Sequence, residues 1–174
     1  MTNLPPQPCP GCQSLLPPID GFSHRYIGAS PACWALYANL LHAQTPPLAP
    51  HPLNNLLVDA YATQHPGTPS PQSIQSVAVH LLTLYGVLQQ NIAPHNALWL
   101  RKKAIKDKNR SRQTFSWLAP PDFTNTISIA TITQAPSPHA RTQLVSQYVH
   151  QILDLWLHHH HHTITTWYQQ FIQN

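Results

Sequence analysis

Most apolar positions in this chain recur at helical intervals. Cys33, Leu36, Tyr37, Leu40 and Leu41 lie three or four residues apart, a spacing that gathers side chains on one helix face. Ser30-Pro31 supplies the start: a hydroxyl N-cap, then proline at the first helical position, where its missing N–H costs nothing. The Pro46-Pro47 pair predicts the end. A second helix is predicted from about Leu53 to His65, stopping at Pro66-Gly67. The third run is the most regular. After Ser70-Pro71, the residues Ile74, Val77, Ala78, Leu81, Tyr85 and Leu88 form one apolar stripe. Leu144, Val145, Tyr148, Val149, Ile152 and Trp156 predict a helix over about 138–157, and Ile164, Trp167, Tyr168, Phe171 and Ile172 another over about 159–172.

Two segments break this pattern. TISIATIT, residues 126–133, alternates Ile with Thr, Ser or Ala and reads as an extended covering segment, since one strand makes no stable sheet. Residues 101–112 read as a basic connector leading into the proline-broken loop SWLAPPDF. The expected fold is mainly α, a bundle of about five helices capped by an N-terminal Cys/His knuckle. The chain reads as a single domain, 1–174, with the loop-rich knuckle at 1–30 and the helical body at 31–174. There is no internal repeat.

Composition narrows the chemistry. Charged residues are 8% of the chain, against roughly 25% in an average soluble protein. Five Asp and no Glu leave little scope for paired-carboxylate catalysis. Seven of the nine Lys and Arg lie in 101–112 with one Asp, so the remainder carries two basic and four acidic residues, or −2. A global argument for nucleic-acid binding therefore fails, and only the stripe Arg101–Arg112 supports a local one. No apolar stretch approaches about 20 residues, and the N-terminus lacks a signal-peptide pattern. A cytoplasmic protein with no membrane partner is expected.

The cysteines are few and ordered. Cys9 and Cys12 flank a Pro-Gly turn, which brings two sulfurs to one side of a tight loop. Cys33 falls in the first helical turn, where the helix dipole favours a thiolate. His24 lies between, giving C-x2-C-x11-H-x8-C, a Cys3His set suited to structural zinc. The alternatives are a redox pair, which usually opens a helix after a strand, or plain buried thiols.

The thirteen histidines separate by helix face. His42 and His150 fall opposite apolar stripes, and His51, His95 and His139 sit near prolines in connections. His80 lies at the edge of the third stripe, where a half-buried imidazole needs a partner. His65 ends the preceding helix, and PGTPSP would return the chain so that the two are neighbours. Asp59 projects about 120° from His65, which weakens it as a co-ligand. If the last helix runs back to His158, His160 and His161 share its apolar face. His65, His80, His160 and His161, with Asp59, form a candidate second metal or acid–base site; a set of hydrogen-bonded core-edge histidines with a solvated His run is the alternative.

HRYIGASPACW, DAYATQHPG, PSPQSIQSVAVHLLTLY and FSWLAPP resemble successive blocks of a bacterial family of unknown function. Its members open with C-P-G-C and close with a His-His pair before an apolar, Trp-containing segment. The resemblance runs from Cys9 to Trp167. It implies that Cys9, Cys12, His24, Cys33, Asp59, His65, His80, His160 and His161 stand at family positions, and it supplies no activity. The basic segment and the five-His run depart from the pattern.

Three functions follow. The first is a helical metalloprotein with structural zinc and a second His site that could activate water. The second is a zinc-stabilised interaction or regulatory module, with Trp99, Trp117 and WLAPPDF facing a protein partner. The third is nucleic-acid binding through the knuckle and 101–112.

Overall fold

The computed structural model describes residues 4–42, 48–110 and 114–173. A two-strand hairpin, β1 (Gln7–Pro8) and β2 (Leu15–Leu16), opens the chain, with Gln7 opposite Leu16. Helix α1 (Pro31–Leu41) follows, then a 3-10 turn (Pro52–Leu56) running into α2 (Leu57–Gln64), then α3 (Pro71–Leu88). A second 3-10 turn (Pro94–Asn96) leads to α4 (Ala97–Arg110). The short α5 (Ile129–Gln134), the long α6 (Pro138–Tyr168) and a terminal π turn (Gln169–Gln173) complete it. The chain is thus mainly helical, with the hairpin as its N-terminal knuckle. Among the described residues no helix is long and apolar enough to cross a membrane.

The N-terminal signals act as their chemistry requires. Ser30 Oγ accepts from the Cys33 amide at 3.2 Å, and Ser70 and Ser73 cap each other reciprocally at the start of α3. Helix α3 is central, packing against α2, α4 and α6, with Ala78, Leu81, Leu82 and Leu84 fully buried. Trp156 of α6 is also fully buried, and its indole N–H donates to the Thr63 carbonyl at 3.2 Å. This meets the rule that a buried indole needs an acceptor.

Several expectations are corrected. TISIATIT is not extended: Ser128 caps the Thr131 amide and α5 begins, with Ile129 and Ile132 buried three residues apart. Residues 101–110 are not a connector but the body of α4, which inserts Ala97, Leu100 and Ala104 against α3. Residues 111 and 112 lie outside the described residues. Helix α1 ends at Leu41, and Pro46-Pro47 also lies outside them. The two expected C-terminal helices join as α6, broken where His160 leaves helical geometry at φ −134°, ψ 22°.

Candidate metal centre

The CPGC turn folds back on itself, with the Cys9 amide donating to the Ser14 carbonyl at 2.9 Å and the Gln13 amide to the Cys9 carbonyl at 3.0 Å. Cys9 and Cys12 thereby face the start of α1, which presents Cys33. The fourth group comes from further along the chain. His65 ends α2, and the ligand atoms of Cys9, Cys12, Cys33 and His65 all lie within 4.8 Å of one another, every residue buried. Cys12 Sγ is 3.8 Å from Cys33 Sγ, and Cys33 Sγ is 3.4 Å from His65 Nε2. Among the described residues no other group of three or more Cys, His or Asp side chains comes so close.

The end of α2 is clamped so that His65 holds its place. Tyr148 Oη donates to Gln64 Oε1 at 2.7 Å, and Gln64 Nε2 donates to Thr126 Oγ1 and the Ile127 carbonyl, each at 2.9 Å. His65 Nδ1–H donates to the Tyr61 carbonyl at 2.8 Å, which leaves Nε2 as the ligating nitrogen. Tyr61 stacks flat on Tyr37 at 3.9 Å and supports the His65 ring at 4.2 Å. Its hydroxyl donates to Cys33 Sγ at 3.7 Å, and the Ser30 amide to Cys9 Sγ at 3.4 Å. Gly11 is required here, since a Cβ would stand 2.4 Å from His65 Cδ2.

The electrostatics favour a cation. Contact with Cys12 and then Cys33 holds the Cys9 thiol far below its ordinary range, against the effect of burial. Contact with Cys12 and Cys9, then burial, pushes Cys33 far above it. Burial opposes charge on His65, yet the nearby Cys12 and Cys9 sulfurs outweigh it and hold the imidazole at about 9. Three buried sulfurs cannot all ionise beside one imidazolium; a bound metal cation would replace the protons. The group can therefore hold a metal ion.

His24 is corrected as the fourth ligand. It sits edge-on to Tyr26 at 4.4 Å and tilted to Trp34 at 5.3 Å, and its buried Nδ1 has no partner among the described residues. Sequence order suggested His24; the pointer to His65 was the glycine of CPGC, which leaves room for an imidazole.

The second candidate set does not assemble. His65 joins the cysteines. His80 Nδ1 instead meets Asp59 Oδ1 at 2.7 Å. His160 Nε2–H donates to the Ala119 carbonyl at 2.8 Å, and His161 is exposed. Arg101, read as part of a phosphate-binding stripe, grips buried Asp59 through Nε at 2.8 Å and Nη2 at 2.5 Å. Lys103 pairs with Asp107 at 2.7 Å, and Lys108 donates to Gln75 at 3.3 Å. The stripe is thus partly engaged within the fold.

No curated protein and no solved structure matches this chain. A sequence family does, over residues 7–157, a span that holds the three cysteines, His65, Asp59, His80 and Arg101. The chain belongs to DUF5946, a family of unknown function.

Proposed function

We propose that this protein is a zinc-clamped helical module, in which one structural zinc ion at Cys9, Cys12, Cys33 and His65 fixes the N-terminal knuckle onto α1 and α2. The observation that carries the reading is the buried convergence of three sulfurs and one imidazole nitrogen within 4.8 Å. Tetrahedral zinc, with bonds of about 2.3 Å to sulfur and about 2.0 Å to nitrogen, has edges of about 3.8 Å and about 3.5 Å. The 3.8 and 3.4 Å separations match those edges. Four protein ligands leave no open position for substrate, so the metal supports structure rather than reaction.

The test is zinc content per chain in protein purified under reducing conditions, with His65→Gln and His24→Gln beside wild type. One zinc in wild type and His24→Gln, and its loss in His65→Gln, is expected. A metal-free wild type, or zinc retained by His65→Gln, overturns the reading.

A protein-partner role on top of this is favoured by one observation. Leu98 and Trp99 stand 56% and 50% exposed, side by side at the start of α4. Loss of a co-purifying partner on Trp99→Ser, with zinc unchanged, supports that role; an unchanged complex removes it.

A further inference from the structure

Asp59 is fully buried near the start of α2, and Arg101 alone binds both its oxygens. As an ion pair it is complete without His80. Yet His80 reaches the same Oδ1 through Nδ1 at 2.7 Å. A carboxylate held by a guanidinium only accepts, so the proton of this bond belongs to His80 Nδ1. In the neutral ring the lone pair is then on Nε2. That nitrogen has no partner among the described residues.

The His80 ring, 18% exposed, lines a cavity of about 190 Å³ with Tyr26, Gln72, Gln75, Ser76 and Ile105. An adjoining cavity of about 420 Å³ shares Tyr26 and Gln72 and adds Arg25, Gly28, Gly67 and Ser70. Arg25 is exposed and makes no ion pair among the described residues. Hydroxyls and carboxamides make up the rest of the polar lining, and neither cavity includes a carboxylate. The cleft therefore offers a cation at one end, an oriented proton acceptor at the other, and neutral hydrogen-bonding groups between them.

We propose that this cleft, between the 25–28 loop and α3, is a second site that binds a small anion bearing a hydroxyl group. Arg25 takes the anionic end, and His80 Nε2 accepts the hydroxyl proton in a hydrogen bond. Asp59 is a positioning residue: it fixes the tautomer and ring orientation of His80 without touching the ligand. The site is distinct from the metal centre, whose four ligands line neither cavity.

Glycerol 3-phosphate is a suitable probe, with glycerol and inorganic phosphate as its two halves. The zinc-loaded, isotopically labelled full chain is titrated with each, following the His80 ring nitrogens and the Gln72 and Gln75 side chains by NMR. His80 is expected to carry its proton on Nδ1 before any addition. Glycerol 3-phosphate should shift the Nε2 signal and bind about tenfold or more tighter than either half. Arg25→Ala should remove that advantage, and His80→Gln should remove the response to the hydroxyl, both with wild-type zinc content. A proton on Nε2, no His80 response at millimolar glycerol 3-phosphate, or unchanged binding in Arg25→Ala overturns the proposal.

Discussion

Changing Gly11 to Ala tests the metal centre through shape alone, since it touches no ligand atom. The added methyl would meet His65 Cδ2 at 2.4 Å and the Gln64 carbonyl oxygen at 2.8 Å. Ordinary carbon contacts begin near 3.5 Å, so something must move by about 1 Å. The imidazole cannot retreat, because Nδ1 is bonded to the Tyr61 carbonyl and the ring rests on Tyr61. The Gln64 carbonyl belongs to an α2 terminus held by Tyr148 and Thr126. The knuckle must therefore lift, carrying Cys9 and Cys12 away from Cys33 and His65. Metal–ligand distances tolerate only about 0.2 Å. Overpacking of this kind costs about 1–3 kcal/mol. Expressed as metal affinity, at tenfold per 1.4 kcal/mol, zinc should bind about 5- to 140-fold more weakly. Competition with a chromophoric chelator measures this directly, and the melting temperature of the zinc form should fall by several degrees. An affinity within about twofold of wild type, with an unchanged melting curve, would refute the reasoning.

Other perturbations probe separate parts of the argument. Trp156→Ala removes a fully buried indole and its bond to Thr63, so urea unfolding should show a loss of about 3–5 kcal/mol; a loss below about 1 kcal/mol would contradict the packing described. Arg101→Met leaves the Asp59 carboxylate buried with only His80, costing about 2–4 kcal/mol, part of which should return in the double variant with Asp59→Asn. Zinc affinity should fall as pH drops. The His65 imidazole, raised to about 9 without metal, is protonated below that pH and must lose the proton to bind, so each proton displaced weakens binding about tenfold per pH unit. Proton release measured calorimetrically in buffers of different ionisation enthalpy checks this, and zero release near neutral pH would exclude it.

Local signals in the chain were readable where one element decides the outcome. Ser30-Pro31 and Ser70-Pro71 start α1 and α3 because cap and proline act within a single turn. The three cysteines cluster because a four-residue turn and a capped helix start suffice to present them. The fourth ligand was not readable this way. His65 reaches the sulfurs through the packing of α2 on the knuckle, and spacing along the chain favoured the nearer His24. Helix α4 was missed because its buried face is only Ala97, Leu100 and Ala104, too sparse to outweigh the charged residues around it. Helix α5 escapes the sequence reading because TISIATIT is dense in β-branched Ile and Thr, which favour an extended chain until burial of Ile129 and Ile132, three residues apart, decides.

The two sites are joined through one short piece of backbone. The Gly28 amide donates to the carbonyl of His65 itself at 3.0 Å, and a Cβ on Gly28 would lie 2.8 Å from Gly67 Cα. Gly28 and Gly67 both line the larger cavity of the cleft. The residue that would bind zinc through its ring thus holds the cleft wall through its carbonyl. Without a metal the ring would keep its bond to Tyr61 but lose its tie to the three sulfurs, so the knuckle and the 25–28 loop that follows it would be held to the end of α2 less tightly. Chelated protein should therefore bind glycerol 3-phosphate more weakly than the zinc form, by a coupling of about 1–3 kcal/mol. Linkage makes the effect reciprocal, so glycerol 3-phosphate must tighten zinc by the same factor. Chelator competition with and without the probe measures it. Equal zinc affinities in the two conditions, with the probe shown to bind, would mean that the Gly28–His65 bond transmits nothing and that clamp and cleft act separately.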